Sequence, residues 1–400
     1  MKKWIGLLFA LAVLPCLAVA QPSISGVTGN FDHGDTIIIT GSGFGTKDPA
    51  EPWLWENFDD GVDGAKVDFD DPVVGSWTHI SYGGPTVGYN VYYLDDDPYS
   101  GNMAAVETVN VGATFSERGL QTNWVTGDAG GAARYGFASF KFKAIYSNGG
   151  YDVGGPSGTH GALKLLRMMS HKNYSNCDNV HPYGLPNVYY AELGEAASWR
   201  AATNIPSMRG QQISAHAATV EHMGEWLGVS LWVDCGTPYN ADGAAGSEFC
   251  GDVTNTGTIQ MQYDESPFTN CDPQPEGVRN ALFCPSMSLH DNSWIRVHWD
   301  DCYADSTQAR VVIVDGNTIG SGTAHNMQLP ILWADDSISV IVNTGRFEEE
   351  SDAWLYVFDR DGDISNAYQF EVGGSGVQAP DDPPELAAPC DSVRAWSAGG

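Results

Sequence analysis

Four separate stretches of the chain alternate apolar and polar residues with a period of two. From Phe137 to Ile145, Ala138, Phe140, Phe142 and Ala144 share one face, and Ser139, Lys141 and Lys143 share the other. From Trp226 to Asp234, Leu227, Val229, Leu231 and Val233 fall together. Ile259, Met261 and Tyr263 oppose Gln260, Gln262 and Asp264, and Ile295, Val297 and Trp299 oppose Arg296 and His298. A period of two predicts half-buried antiparallel strands. Further strands are expected at Trp53–Phe58, Trp77–Tyr82 and Tyr89–Leu94. Outside a short helix expected within 204–218, no stretch carries a helical pattern. The expected class is all-β, built as sheets packed face to face.

The ends of the chain carry their own pattern. Thr36 to Thr40 is a β-branched run, which reads as a strand, and Gly41, Gly43 and Gly45 then punctuate it as turns. A short strand precedes it from Pro22. Near the other end, Arg310–Asp315, Ile331–Asn343, Ala353–Asn366 and Tyr368–Val372 read as strands, with Asp361-Gly362 a hairpin turn. Asp359-Arg-Asp-Gly-Asp lacks a Glu twelve positions along, where Phe370 stands, so the turn reading outweighs an EF-hand loop. Residues 147–160 and 236–258 are Gly-rich and read as loops. Residues 373–400 are rich in Gly, Pro and Asp and read as a linker or tail.

Residues 1–20 have the form of a secretory leader: Lys2 and Lys3, an apolar run from Trp4, and Ala18-Val19-Ala20 before Gln21. The expectation is an exported protein, secreted or at the cell surface, with no membrane insertion. The formal charge of −31, from 19 Lys and Arg against 50 Asp and Glu, repels nucleic acid. Of the eight cysteines, Cys16 falls in the leader, and the others should pair in an oxidising compartment. The expected pairs are Cys235–Cys250 and Cys271–Cys284 as local staples and Cys177–Cys302 across the fold. Spacing alone does not fix this connectivity. Zinc spacing is missing.

Two resemblances follow from these residues. Pro22-Ser-Ile-Ser-Gly-Val with Asp35–Lys47, closed by Trp333-x-Asp-x-Ser-Ile-x-Val and Leu355-Tyr-Val-Phe-Asp-x-Asp-Gly, resembles an IPT/TIG domain, a small immunoglobulin-like sandwich. The stretch 52–306 resembles a concanavalin-like (laminin-G-like, glucanase-like) jelly roll. Its marks are Asn57-Phe-Asp-Asp-Gly at the start and Trp299-Asp-Asp-Cys-Tyr-Ala-Asp at the end. The expected organisation is a leader (1–20), a split sandwich (21–51 with 307–372), an inserted jelly roll (52–306) and a tail (373–400). Loop-closure cost does not forbid such an insertion, because both units have neighbouring termini.

The jelly-roll resemblance implies a structural calcium ion held by Asp59, Asp60, Asp300 and Asp301, where a carboxylate after the first strand meets an Asp pair in the last. The alternative is two acidic turns facing water, the reading also given to Asp95-Asp96-Asp97. The sheet face of such a fold binds glycans through aromatic stacking and polar side chains. Candidates are Lys141, Lys143, Lys164, Arg167, Gln260, Gln262 and Tyr263. Against this, Lys141 and Lys143 also read as the wet side of an edge sheet. Trp53, Trp55, Trp226 and Trp232 read as core. For catalysis, Glu192 and Glu195 do not match the Glu-x-Asp-x-x-Glu arrangement of a retaining glycosidase, and no Gly-x-Ser-x-Gly elbow occurs. His160, His171 and Tyr174 with Lys164 and Arg167 could serve a polysaccharide lyase, a base beside cations that steady an enolate. The expected role is non-catalytic extracellular binding or adhesion, with a glycan or surface polymer as partner. A lyase and a structural subunit of a surface array are the alternatives.

Overall fold

The computed structural model describes residues 21–80, 91–110, 116–117, 120–123, 133, 135–146, 163–169, 188–193, 199–203, 224–234, 244–251, 257–262, 280–287, 294–319 and 324–374. The described part is all-β. β1 (Ser23–Thr28) and β2 (Thr36–Ser42) open the chain. Next come β3 (Leu54–Glu56), β4 (His79–Ile80), β5 (Tyr92–Leu94), β6 (Ala104–Asn110), β7 (Ser116–Glu117), β8 (Leu120–Asn123) and β9 (Tyr135–Tyr146). β10 (Leu163–Met169), β11 (Val188–Leu193), β12 (Trp199–Thr203), β13 (Leu227–Asp234) and β14 (Ala244–Gly251) follow. After them come β15 (Gly257–Gln262), β16 (Asn280–Met287) and β17 (Trp294–Asp305). The chain ends on β18 (Arg310–Val314), β19 (His325–Trp333), β20 (Ser337–Ile341), β21 (Asp352–Phe358) and β22 (Tyr368–Glu371).

Strands from the two ends of the chain share one sheet, ordered β1-β2-β20-β19-β18-β21-β22. The joining ladder pairs Ile37 with Val340 and Ile39 with Ile338. Alternate residues point inward. Ile37, Ile39, Val311, Ile313, Ile338, Val340 and Leu355 therefore meet in one core, so the sheet rolls over on itself. Asn366 closes the seam: its Oδ1 accepts the Ile24 amide at 2.7 Å and its Nδ2 donates to the Ile24 carbonyl at 3.2 Å. The expected turn after β21 is present. Asp359 Oδ1 accepts the amides of Asp361 and Asp363, both at 2.9 Å, and Gly362 sits at φ 84°.

The stretch between β2 and β18 supplies two more sheets, β12-β11-β10-β16-β8-β4 and β15-β14-β13-β9-β17-β6-β5, with β3 beside β17. Phe140, Phe142 and Phe283 pack between them. The other side of the second sheet meets the end sheet, where Trp55, Phe137 and Tyr303 join Val312, Val314, Met327, Leu329, Tyr356 and Phe358 in a shared cluster.

The period-two faces of β9 are as expected, but neither is wet. β9 lies between β13 and β17 instead of at an edge, and Ser139, Lys141 and Lys143 are buried too, only slightly less fully than Phe140 and Phe142. A loop and the end sheet cover the second face. β14 occupies part of the stretch expected to be a loop. Its small residues carry little β propensity, and pairing on both sides by β13 and β15 overrides it. Of the expected Cys235–Cys250 staple, Cys235 lies outside the described residues, and Cys250 is on β14, in register with Gly228. Trp53, expected in the core, is exposed at the start of β3, while Trp55 and Trp226 are buried. The helix expected within 204–218 lies wholly outside the described residues.

Candidate functional site

The most fully built polar cluster lies where the loop 95–102 crosses the buried face of β9 and β17. A bulge in β17 sets it up: Asp300 pairs with Lys141, the register slips, and Tyr303 pairs with Ser139. Before the slip β17 is flanked by β6, and after it by β3. Asp301, at φ 47°, is one of the extra residues. Bulges of this kind re-aim side chains. Here they turn two consecutive carboxylates inward.

The loop fastens onto them. Asp300 Oδ2 accepts the amides of Tyr99 at 2.8 Å and Ser100 at 3.0 Å, and Ser100 Oγ donates to Asp301 Oδ1 at 2.7 Å. Asp59 Oδ1 accepts the Asn102 amide at 2.7 Å, while its Oδ2 takes Asn57 Nδ2 at 2.6 Å and faces His33 Nε2 at 3.2 Å. A hydrogen bond to Asp59 outweighs burial and raises the His33 pKa. Gly101 makes this closeness possible: at φ 53°, a Cβ there would sit 1.7 Å from Asp59 Oδ1.

The basic residues are spent internally. Lys143 Nζ meets Asp97 Oδ2 at 2.7 Å, and Arg346, from the turn between β20 and β21, takes the other carboxylate oxygen. Trp226 Nε1 donates to the Asp97 carbonyl at 2.9 Å. Burial works against the Asp97 carboxylate, but Lys143 and Arg346 hold its pKa below the usual range. Lys141 Nζ lies 4.4 Å from the centre of the Tyr99 ring, and the Tyr99 hydroxyl donates to Asn326 Oδ1 at 2.6 Å. His298 is fully buried against Trp226, and burial with the nearby Lys143 and Arg296 lowers its pKa to about 3. It is therefore neutral at physiological pH.

The carboxylates expected to hold calcium are thus partly brought together. Asp59, Asp300 and Asp301 fasten the same loop, and burial raises the pKa of both Asp300 and Asp301, which also repel each other. Asp301 Oδ2 is buried without a hydrogen-bond partner. Most other oxygens are taken by protein donors, and no group of three or more His, Cys, Asp or Glu among the described residues is placed to hold a metal ion. Asp60 is exposed.

Of the expected ligand face, Lys164 stands opposite Glu192 and Ser286, and Arg167 opposite Tyr190 and Leu282. Glu192 in turn faces Arg200. Gln260 and Gln262, on β15, stand opposite Gly246 and Ala244 of β14. Tyr263, His160, His171 and Tyr174 lie outside the described residues, as do Cys177, Cys235 and Cys271; Cys284 is on β16 and Cys302 is buried in β17. Sequence reasoning took Asp97 as part of a water-facing acidic turn and passed over Tyr99 and Ser100, whose only signal was a turn-forming Asp-Pro-Tyr-Ser-Gly run.

An all-β stack of sandwiches is the class these observations define. No protein-family model and no curated protein matches the chain. Among solved structures, it is similar to alginate lyase Aly36B, at 11% identity and a TM-score of 0.39 over 64% of this chain and 98% of that one. It is also similar to the marine PL-14 alginate lyase from Aplysia kurodai, at 9% and 0.38 over 54% and 86%. A third likeness is to the receptor-binding domain of botulinum neurotoxin type G, at 9% and 0.29 over 80% and 74%.

Proposed function

We propose that this is an exported carbohydrate-binding protein, an IPT/TIG-type sandwich carrying a concanavalin-like insertion, which takes an acidic glycan along β10. One observation carries the reading. In a chain with 50 acidic and 19 basic residues, the ladders place Lys164 and Arg167 on an interior strand, with Tyr190 and Arg200 on the two strands beyond. Basic residues in register with a tyrosine on neighbouring strands suit a polymer of carboxylated or sulfated sugars. Lys141 and Lys143 drop out of the ligand set because they are buried and engaged by the protein itself. A glycan array should give hits among acidic polymers that Arg167→Ala weakens at least tenfold; an array empty of acidic hits would refute the reading. In a parallel incubation with alginate, pectin and glycosaminoglycans, ultraviolet absorbance from unsaturated products would replace the non-catalytic role with a lyase.

Calcium belongs to the same proposal. Two adjacent buried carboxylates, one with an unpartnered oxygen, are costly when both are charged. A cation at Asp301 near Asp59 would relieve that cost. A melt with and without chelator tests it, and an unchanged midpoint removes the ion.

A further inference from the structure

Lys47 and Asp305 form a buried ion pair that the site above does not use. Lys47 lies just beyond β2, where the chain leaves the end sheet, and Asp305 closes β17, just before it returns. Nζ is 2.8 Å from Oδ2, and the two side chains are only 3% and 5% exposed. The Tyr303 hydroxyl donates to the same Oδ2 at 3.1 Å, and the Ser306 amide to Oδ1 at 2.6 Å. Lys47 also donates to the Ala50 carbonyl. Phe137 faces Asp305 across the ladder, and the rings of Phe137 and Trp55 stand edge-on to Tyr303. The Arg310 guanidinium lies 4.4 Å from the centre of the Phe137 ring.

We propose that Lys47 and Asp305 condense into an intramolecular amide once the protein has folded, a covalent clasp across the neck of the inserted sandwich. Contact in a dry site supplies the first requirement, because well-oriented groups react at effective concentrations of about 10⁵–10⁸ M. Burial supplies the second. It raises the Asp305 pKa against the pull of Lys47, and the ammonium passes a proton to Oδ2, the oxygen it touches, leaving a neutral amine and acid. The Nζ lone pair then attacks Cγ, and the Ser306 amide steadies Oδ1, on which charge develops. The Cγ–Oδ2 bond breaks, helped by the Tyr303 O–H that Oδ2 accepts. Oδ2 leaves as water, carrying the carboxyl proton and one from nitrogen. The net change is the loss of one water from the ion pair, with no oxidant and no cofactor. The product also removes two charges from an apolar setting, which burial favours.

Mass spectrometry of the intact chain, folded at neutral pH, then denatured and reduced, tests the clasp. The expected mass is one water below that of the sequence, and digestion should yield a branched peptide joining Lys47 to Asp305. Asp-Gly pairs can also lose water by ring closure, so the position is decisive: a water loss mapped elsewhere, or an unmodified mass after prolonged warm incubation, overturns the proposal. Tyr303→Phe should slow appearance of the branched peptide severalfold, and Lys47→Met should abolish it. Should Lys47→Met fail to fold, the wild-type mass and its branched peptide decide the matter alone.

Discussion

Glu56 offers a direct measure of how dry the first strand of the insertion is. It sits on β3 opposite Cys302 and is 2% exposed. Oε1 accepts the Phe58 amide, and Oε2 is buried without a hydrogen-bond partner. Burial, aided by Asp71, Asp60 and Asp59, raises its pKa from 4.5 to about 8. At about 1.4 kcal/mol for each pH unit, that rise ties up to about 5 kcal/mol of folding free energy to one proton. The sign follows from linkage. A carboxyl whose pKa is higher when folded contributes its full stability below the unfolded value and loses it as pH rises through the folded value. Wild type should therefore weaken between about pH 4.5 and about pH 8 relative to Glu56→Gln, which keeps the shape and never ionises. Urea denaturation followed by tryptophan fluorescence, in chelator, gives both curves. Glu56→Gln should match wild type near the acid end and exceed it by several kcal/mol above about pH 8. A difference that stays flat across the range would refute the reasoning.

Asp97→Ala should cost about 2–3 kcal/mol in denaturant, because it strands the buried Lys143; Asp97→Ala with Lys143→Met should recover most of that, and no recovery would remove the ion pair as the cause. Gly101→Ala should lower the melting midpoint far more than Gly64→Ala, since both have positive φ but only Gly101 faces the Asp59 carboxylate; equal losses would mean the contact is unimportant. Tyr99→Phe removes only the hydroxyl on Asn326 and should cost about 1 kcal/mol. A neutral result in the same denaturation assay would show that water replaces the bond.

The alternation in Phe137–Ile145 made β9 legible, because that strand has a true apolar face. The same pattern misjudged its other face. Lys141 and Lys143 look solvated to any rule that scores one residue at a time, and only the distant Asp97, Tyr99 and Arg346 make them buried. β14 was invisible for a related reason: Ala-Ala-Gly-Ser pairs well between two neighbours but has little preference by itself. Asp59, Asp300 and Asp301 could be named because the resemblance to a jelly roll drew attention to carboxylates at its first and last strands. Their committed hydrogen bonds could not, because the donors are backbone amides of residues 99 to 102. Two expectations for the ends of the chain, a strand at Thr36–Thr40 and one within Ile331–Asn343, appear as the neighbours β2 and β20.

The ladder between β2 and β20 joins residues about three hundred positions apart. Contacts so remote in sequence are slow to form, since the intervening chain must first be drawn in. A chain emerging N-terminus first would leave the Ile37–Ile39 edge waiting, sticky and unmatched, until β20 has been made. Pulsed hydrogen exchange during refolding should show the amides of β2 and β20 becoming protected together, and late. Early protection of β2 alone would mean that it finds an interim partner.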